Sequence, residues 1–149
     1  MKRNVVFLLW LTVLSDGGVS LFAACTPAPP IADEVNQSTA VFRGRVMSLE
    51  ALPDNTASIA TFDVEQWWKG GPSRTVEVLS CGGKVPEGQE VTCVDGPYKF
   101  YVGVSYVVIA IRYPPKNPFL NASSCRRTAT VEESAEVIRW LNTNIPKRQ

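Results

Sequence analysis

Four cysteines are the side chains of this 149-residue chain best equipped for chemistry: Cys25, Cys81, Cys93 and Cys125. A thiol can close a disulfide, ligate zinc or accept a lipid, and spacing helps to sort these roles. Zinc ligands usually come in close pairs such as Cys-x-x-Cys, whereas these cysteines are separated by 56, 12 and 32 positions, so two disulfides are the better reading. The chain contains no histidine. That removes the usual general base, the commonest metal ligand and the usual activator of a serine or cysteine nucleophile. Paired carboxylates could still work alone, but an enzyme is disfavoured and no cofactor is expected.

The residues ahead of Cys25 bear on its role. Lys2 and Arg3 precede an apolar run from Val5 to Leu14, followed by Ser15-Asp16-Gly17-Gly18 and the small residues Ala23 and Ala24. This order predicts a secretory signal peptide over residues 1–24, with the mature chain starting between Leu21 and Cys25. Ten apolar residues are half of the ~20 that span a bilayer, which disfavours a permanent membrane helix. Leu21-Phe-Ala-Ala-Cys25 also has the form of a lipoprotein signal, with Phe22 where leucine is usual. Membrane anchoring is therefore expected only if Cys25 is lipidated. The predicted destination is secreted or extracytoplasmic, in the periplasm or cell envelope, where disulfides persist.

The mature chain of about 125 residues suffices for one domain, taken as 25–145. Setting aside Lys2, Arg3 and Asp16 leaves 13 basic and 13 acidic residues. A nucleic-acid partner is not expected from such a balance, since binding phosphates needs a concentrated basic surface.

Alternation then places the strands. Ala40–Leu49 puts Phe42, Gly44, Val46 and Ser48 on one face and Val41, Arg43, Arg45 and Met47 on the other, with Gly44 suggesting a bulge or sharp coil. After turn residues at Leu52–Thr56, Ser58–Trp68 alternates with Ala60, Phe62 and Val64 inward, completing a hairpin. Arg74–Leu79 makes a third strand. The Cys81–Cys93 segment is a polar loop or hairpin, and Val104–Arg112 is apolar enough for burial on both faces. Tyr113–Pro118 is a loop, and a short strand over Ala122–Thr128 is weakly signalled. Thr130-Val-Glu-Glu133 fits a capping box for a helix over Val131–Asn142, with Ala135, Ile138, Trp140 and Leu141 near one stripe and Pro146 past the end. Five strands and a terminal helix without βαβ alternation predict a small antiparallel barrel or sandwich.

Several strings in order resemble a known family: Cys25 with its proline-rich sequel, Val41-Phe-Arg-Gly-Arg-Val46, Phe62-Asp-Val-Glu-Gln-Trp-Trp-Lys-Gly70, Phe100-Tyr-Val-Gly-Val-Ser-Tyr-Val-Val-Ile-Ala110 and Cys125-Arg-Arg-Thr128. Together they are similar to bacterial members of the tissue inhibitor of metalloproteinases family, whose domain is a netrin-like, five-stranded oligonucleotide/oligosaccharide-binding (OB) barrel. The resemblance implies an all-β fold with a C-terminal helix and two disulfides. In the animal inhibitors, a free N-terminal cysteine places its amine and carbonyl on the catalytic zinc of a metalloprotease, and the next side chain enters the specificity pocket. Cys25 and Thr26 stand at those positions, so a zinc metalloprotease is the implied partner. Pro27, Pro29 and Pro30 would stiffen such an arm.

The chain departs from the family pattern in two places: Pro27 replaces the second cysteine of Cys-x-Cys, and both Cys81 and Cys93 precede the Phe100 string, where the family has one. If Cys25 matches the first family cysteine, it pairs with Cys93 or Cys81, and Cys125 takes the other. If it matches the second, it pairs with Cys125, and Cys81 joins Cys93. The lower closure cost of the twelve-residue loop tilts the choice to the second pattern. In that pattern, residues before Cys25 could cover its amine.

Other features carry two readings each. Trp67-Trp68 could offer an aromatic platform, but alternation turns one ring inward as a barrel cap. Arg43 and Arg45 could form a basic stripe with Arg126 and Arg127, or simply lie on solvated faces. Glu132 and Glu133 fit capping and dipole roles better than an acid pair. The functional expectation is a secreted, inhibitor-like binding protein. Its alternative is a non-inhibitory structural or adhesion module that binds a protein or surface polymer.

Overall fold

The computed structural model describes residues 25–82, 93, 96–113 and 118–146. The expected signal peptide at 1–24, most of the Cys81–Cys93 loop and residues 114–117 of the Tyr113–Pro118 loop lie outside the described residues.

Strict alternation over two long segments produces the dominant hairpin. Strand β1 (Ala40–Ala51) pairs antiparallel with β2 (Ala57–Lys69), setting Val46 opposite Phe62 and Gly44 opposite Val64. The register slips between Arg43 and Gly44, where the lone glycine suggested a bulge. A Cβ on Gly44 would lie 2.8 Å from the Asp63 carbonyl oxygen and 3.3 Å from the Val64 Cα, so the two backbones approach too closely for any side chain.

Strand β3 (Thr75–Cys81) pairs antiparallel with β2, and β4 (Ser105–Arg112) pairs antiparallel with β1. The fifth strand comes in two pieces on the remaining edge of β4. The first, β5 (Leu120–Asn121), bridges β4 and, in parallel, β3; the second, β6 (Ala129–Thr130), lies opposite Val107 and Tyr106. The order β1-β2-β3-β5-β4, closed by the β4–β1 pairing, is a five-stranded barrel of OB-fold type.

This corrects the strand expected over 122–128, which is instead the interruption between β5 and β6. Ser123 bends the chain there through local bonds: the Cys125 N–H donates to Ser123 Oγ at 3.1 Å, and the Arg126 N–H to the Ser123 carbonyl at 3.2 Å. Thr128 fills the gap this leaves. Its hydroxyl accepts from the Ile109 N–H at 3.0 Å and donates to the Ile109 carbonyl at 3.3 Å, replacing the missing strand partner.

Two apolar layers result, one on each face of the sheet. Inside the barrel, Phe42, Phe62, Phe100 and Tyr106 meet mostly edge to face, with Phe62 and Phe100 centroids 5.0 Å apart. Ala40, Ala60, Ala110 and Ala122 leave room for those rings. Outside, Val41, Trp68, Val107 and Ile109 are covered by helices α1 (Ile31–Gln37) and α2 (Ala135–Asn144). The apolar run of β4 is thus buried on both faces, as its sequence predicts.

Helix α2 starts four residues later than the expected Val131. Thr130 belongs to β6, and the Val131 N–H still donates to the Ser105 carbonyl, so the chain is sheet-bound up to that point. The capping box nevertheless closes: Glu133 accepts from the Thr130 hydroxyl at 2.9 Å and from its N–H at 3.3 Å, across the turn before the helix. The later start shifts the stripe. Val137 and Leu141 are buried, Ile138 and Trp140 half-buried, and Ala135, expected inward, is exposed.

Gly44→Ala should cost about 1–3 kcal/mol, read from urea unfolding, because the obstructing atoms are backbone. Burial holds the Tyr98 and Tyr106 phenols above the ordinary value of about 10. The native state therefore binds these protons more tightly than the unfolded chain does. Their stabilisation is complete below pH ~10 and is lost as pH rises through the folded-state values. The urea midpoint should hold steady up to pH ~9.5 and then fall, and Tyr106→Phe should flatten the decline.

Candidate functional site

The N-terminal arm, residues 25–30, owes its extended path to its composition. Prolines at 27, 29 and 30 fix their own φ angles and push Thr26, Ala28 and Pro29 away from helical geometry. Helix α1 begins immediately afterwards, with the Asp33 and Glu34 N–H groups donating to the Pro30 carbonyl at 3.0 and 3.1 Å. Asp33 and Glu34 lie in its first turn, where acidic residues suit the dipole. At the other end, Lys69 Nζ donates to the carbonyls of Val35 (2.8 Å) and Asn36 (2.9 Å), and the Ser38 hydroxyl to Val35 (2.7 Å).

Two anchors tie this arm to the excursion between β5 and β6. Cys25 is disulfide-bonded to Cys125, and Cys81 to Cys93, the pairing towards which loop closure tilted. None of the four sulfurs is therefore available to a metal. The Cys25–Cys125 link spans 100 positions, and closing a loop of that length removes about 4–5 kcal/mol of unfolded-chain entropy.

The second anchor is Arg127. Its N–H donates to Glu34 Oε1 at 2.9 Å, its Nη1 donates to Glu34 Oε2 at 2.7 Å, and the same Nη1 donates to the Pro29 carbonyl. Glu34 is 4% exposed, so Arg127 takes the place of the water that its carboxylate oxygens would otherwise bind. Between the anchors, Cys25, Thr26, Pro27 and Ala28 remain exposed. The arm is thus a short, outward-facing segment clamped at both ends.

The structure disperses the arginine stripe. Arg43 pairs with Glu65 at 2.6 Å on a half-exposed strand face, an interaction worth at most ~1 kcal/mol. Arg45 Nε donates to the Gly103 carbonyl at 3.0 Å, and Arg127 turns inward to Glu34. Arg126 has no acidic group within ion-pair distance among the described residues. The tryptophans serve packing. Trp67 lies against Phe42 at 5.0 Å with its Nε1 donating to the Ser73 carbonyl, whereas Trp68 sits in the outer core and donates to Asn142 Oδ1.

Sequence reasoning missed α1 and the Glu34–Arg127 pair. A signal for the helix was present, since a proline followed by acids in a first turn marks a helix start. Nothing local marks the pair, whose members are 93 positions apart.

A cavity of about 300 Å³ lies between α1, β4 and the excursion, with Glu34, Ile109, Ile111, Asn121, Ser123 and Arg126 in its lining. A larger, open one of about 580 Å³ lies where β1, β3 and β5 begin, beside Trp67, Arg112 and Phe119. Among the described residues, no helix is long and apolar enough to cross a membrane. The two disulfides point to a compartment outside the reducing cytoplasm.

Glu34→Gln removes the charge that Arg127 faces and should lower stability by about 2–3 kcal/mol in urea unfolding, with faster amide exchange confined first to α1. Adding Arg127→Met to that variant should recover part of the loss, because no guanidinium is then left without its carboxylate. Protein-family models and curated proteins yield no match to this chain.

Proposed function

We propose that this chain is a non-enzymatic extracytoplasmic binding protein that inhibits a zinc metalloprotease through its N-terminal arm, as its resemblance to the tissue inhibitors of metalloproteinases implies. The observation that carries this reading is the arm itself: exposed at Cys25 to Ala28, and held by a disulfide at one end and by Arg127 at the other.

A catalytic zinc keeps one coordination position for water. In the proposed mechanism, signal cleavage between Ala24 and Cys25 frees the Cys25 amine. Amine nitrogen and carbonyl oxygen then close a five-membered chelate on the zinc and displace that water, while Thr26 enters the specificity pocket. A clamped arm has less conformational entropy to lose on binding, which favours tight association. The family's second N-terminal cysteine is Pro27 here, and the Arg127 contacts with Pro29 and Glu34 supply restraint in its place.

A non-inhibitory structural or adhesion module is the second reading. It is favoured by the exposed Met47 and Leu49 of β1, with Tyr101 and Val102 on the adjoining turn. That turn is held to β1 by the Gly103 N–H, which donates to the Val46 carbonyl.

Mass spectrometry of the mature N-terminus should find an unmodified Cys25. A chain that starts earlier, or an acylated Cys25, would sink the chelation mechanism. In assays against a panel of zinc metalloendopeptidases, a form retaining Ala24 should lose inhibition by about 100-fold, the equivalent of ~2.7 kcal/mol of contact. Undiminished inhibition by that form would move the contact away from the arm.

A further inference from the structure

We infer that the cavity between α1, β4 and the excursion is a binding site for a carboxylate-bearing ligand, with Arg126 as its anion receptor. The site does not depend on the inhibitory role of the arm. Its volume of about 300 Å³ lies at the lower end of cavities that hold small molecules. Its lining divides the way such sites do: Pro97, Ile109 and Ile111 offer apolar wall, and Asn121, Ser123 and Arg126 offer polar groups.

Charge decides the class of ligand. Glu34 also lines the cavity, yet both its oxygens are engaged by Arg127, at 2.9 and 2.7 Å, so that pair is neutral as a unit. Arg126, half-buried and without an acidic partner among the described residues, leaves one positive charge in excess. A guanidinium fork fits a carboxylate through two parallel hydrogen bonds.

The receptor is also held in place. The Arg126 N–H is bonded to the Ser123 carbonyl, the neighbouring Cys125 is cross-linked to Cys25, and Ser123 bridges to Pro97. Ser123 Oγ accepts from the Cys125 N–H and keeps its own rotatable proton available as a second donor. A short-chain acid, or the C-terminal residue of a peptide, would seat its carboxylate on Arg126 and its apolar body on the isoleucines.

The test is an NMR titration of the ¹⁵N-labelled, disulfide-intact chain with 4-methylpentanoate, its uncharged amide, and an acetylated tripeptide ending in leucine as acid or amide. Both acids should give saturable shifts at Gly96, Ile111, Ser123 and Arg126 below about 50 mM, and both amides none. Arg126→Gln should weaken binding by about tenfold or more, and Arg126→Lys by less. Ile111→Phe, which fills the cavity from its apolar side and leaves Arg126 intact, should also abolish binding, so the site stays testable if Arg126→Gln fails to fold. If the tripeptide acid binds more tightly than the free acid, the ligand is a chain terminus; the reverse order assigns a small metabolite-sized acid. Amides that bind as well as acids, shifts that stay linear, or a folded Arg126→Gln with unchanged affinity would overturn the assignment.

Discussion

The arrangement depends on a single side chain standing in for a strand. Thr128 satisfies both the N–H and the carbonyl of Ile109 with one hydroxyl, on the edge of β4 where the fifth strand is interrupted. An unpaired donor and acceptor buried at that position would each cost about 1–3 kcal/mol, so a break without such a substitute would not persist. Because Thr128 covers the gap, residues 122–127 are free to leave the ladder while the barrel stays closed.

That departure supplies what the surface of the barrel lacks. Cys125 and Arg127 reach the N-terminal arm from the excursion, and Arg126 lines the cavity between α1 and β4. Cys125 and Arg127 thus hold the arm, and Arg126 between them, in the bent stretch, lines the cavity instead. The buried Glu34 carboxylate ties the helix after the arm to the same point, so arm, α1 and excursion are linked through one residue, Arg127. The outer apolar layer reinforces this, since Val35 of α1 and Val137 and Leu141 of α2 share a core with the outer face of β4.

Much of this was legible in order of appearance. Period-two alternation located the first three strands and turned Ala60, Phe62 and Val64 inward, because half-burial constrains every second residue, and an unbroken apolar run located the fourth. The lone glycine at 44 marked a bulge, since no side chain fits where two backbones meet. Helix α2 was visible through its capping box, but its start was placed early, because the competing pull of β4 on Thr130 and Val131 has no local signature. The fifth strand was misplaced for a similar reason: its two short pieces are defined by the neighbours they bridge, and two residues are too few to show a period.

By itself, then, the sequence determined the first three barrel strands through alternation, the fourth through its apolar run, the C-terminal helix through its apolar stripe and the capping box ahead of it, and the extended arm through proline, because each of these depends on neighbours within a few positions. It narrowed the four cysteines to a choice of pairings. Only the tertiary structure decided that Arg127 serves as clamp while Arg126, without an acidic partner among the described residues, lines a cavity. Two adjacent residues of identical chemistry differ solely in what the fold brings to them: a buried carboxylate 93 positions away for one, and a cavity wall for the other.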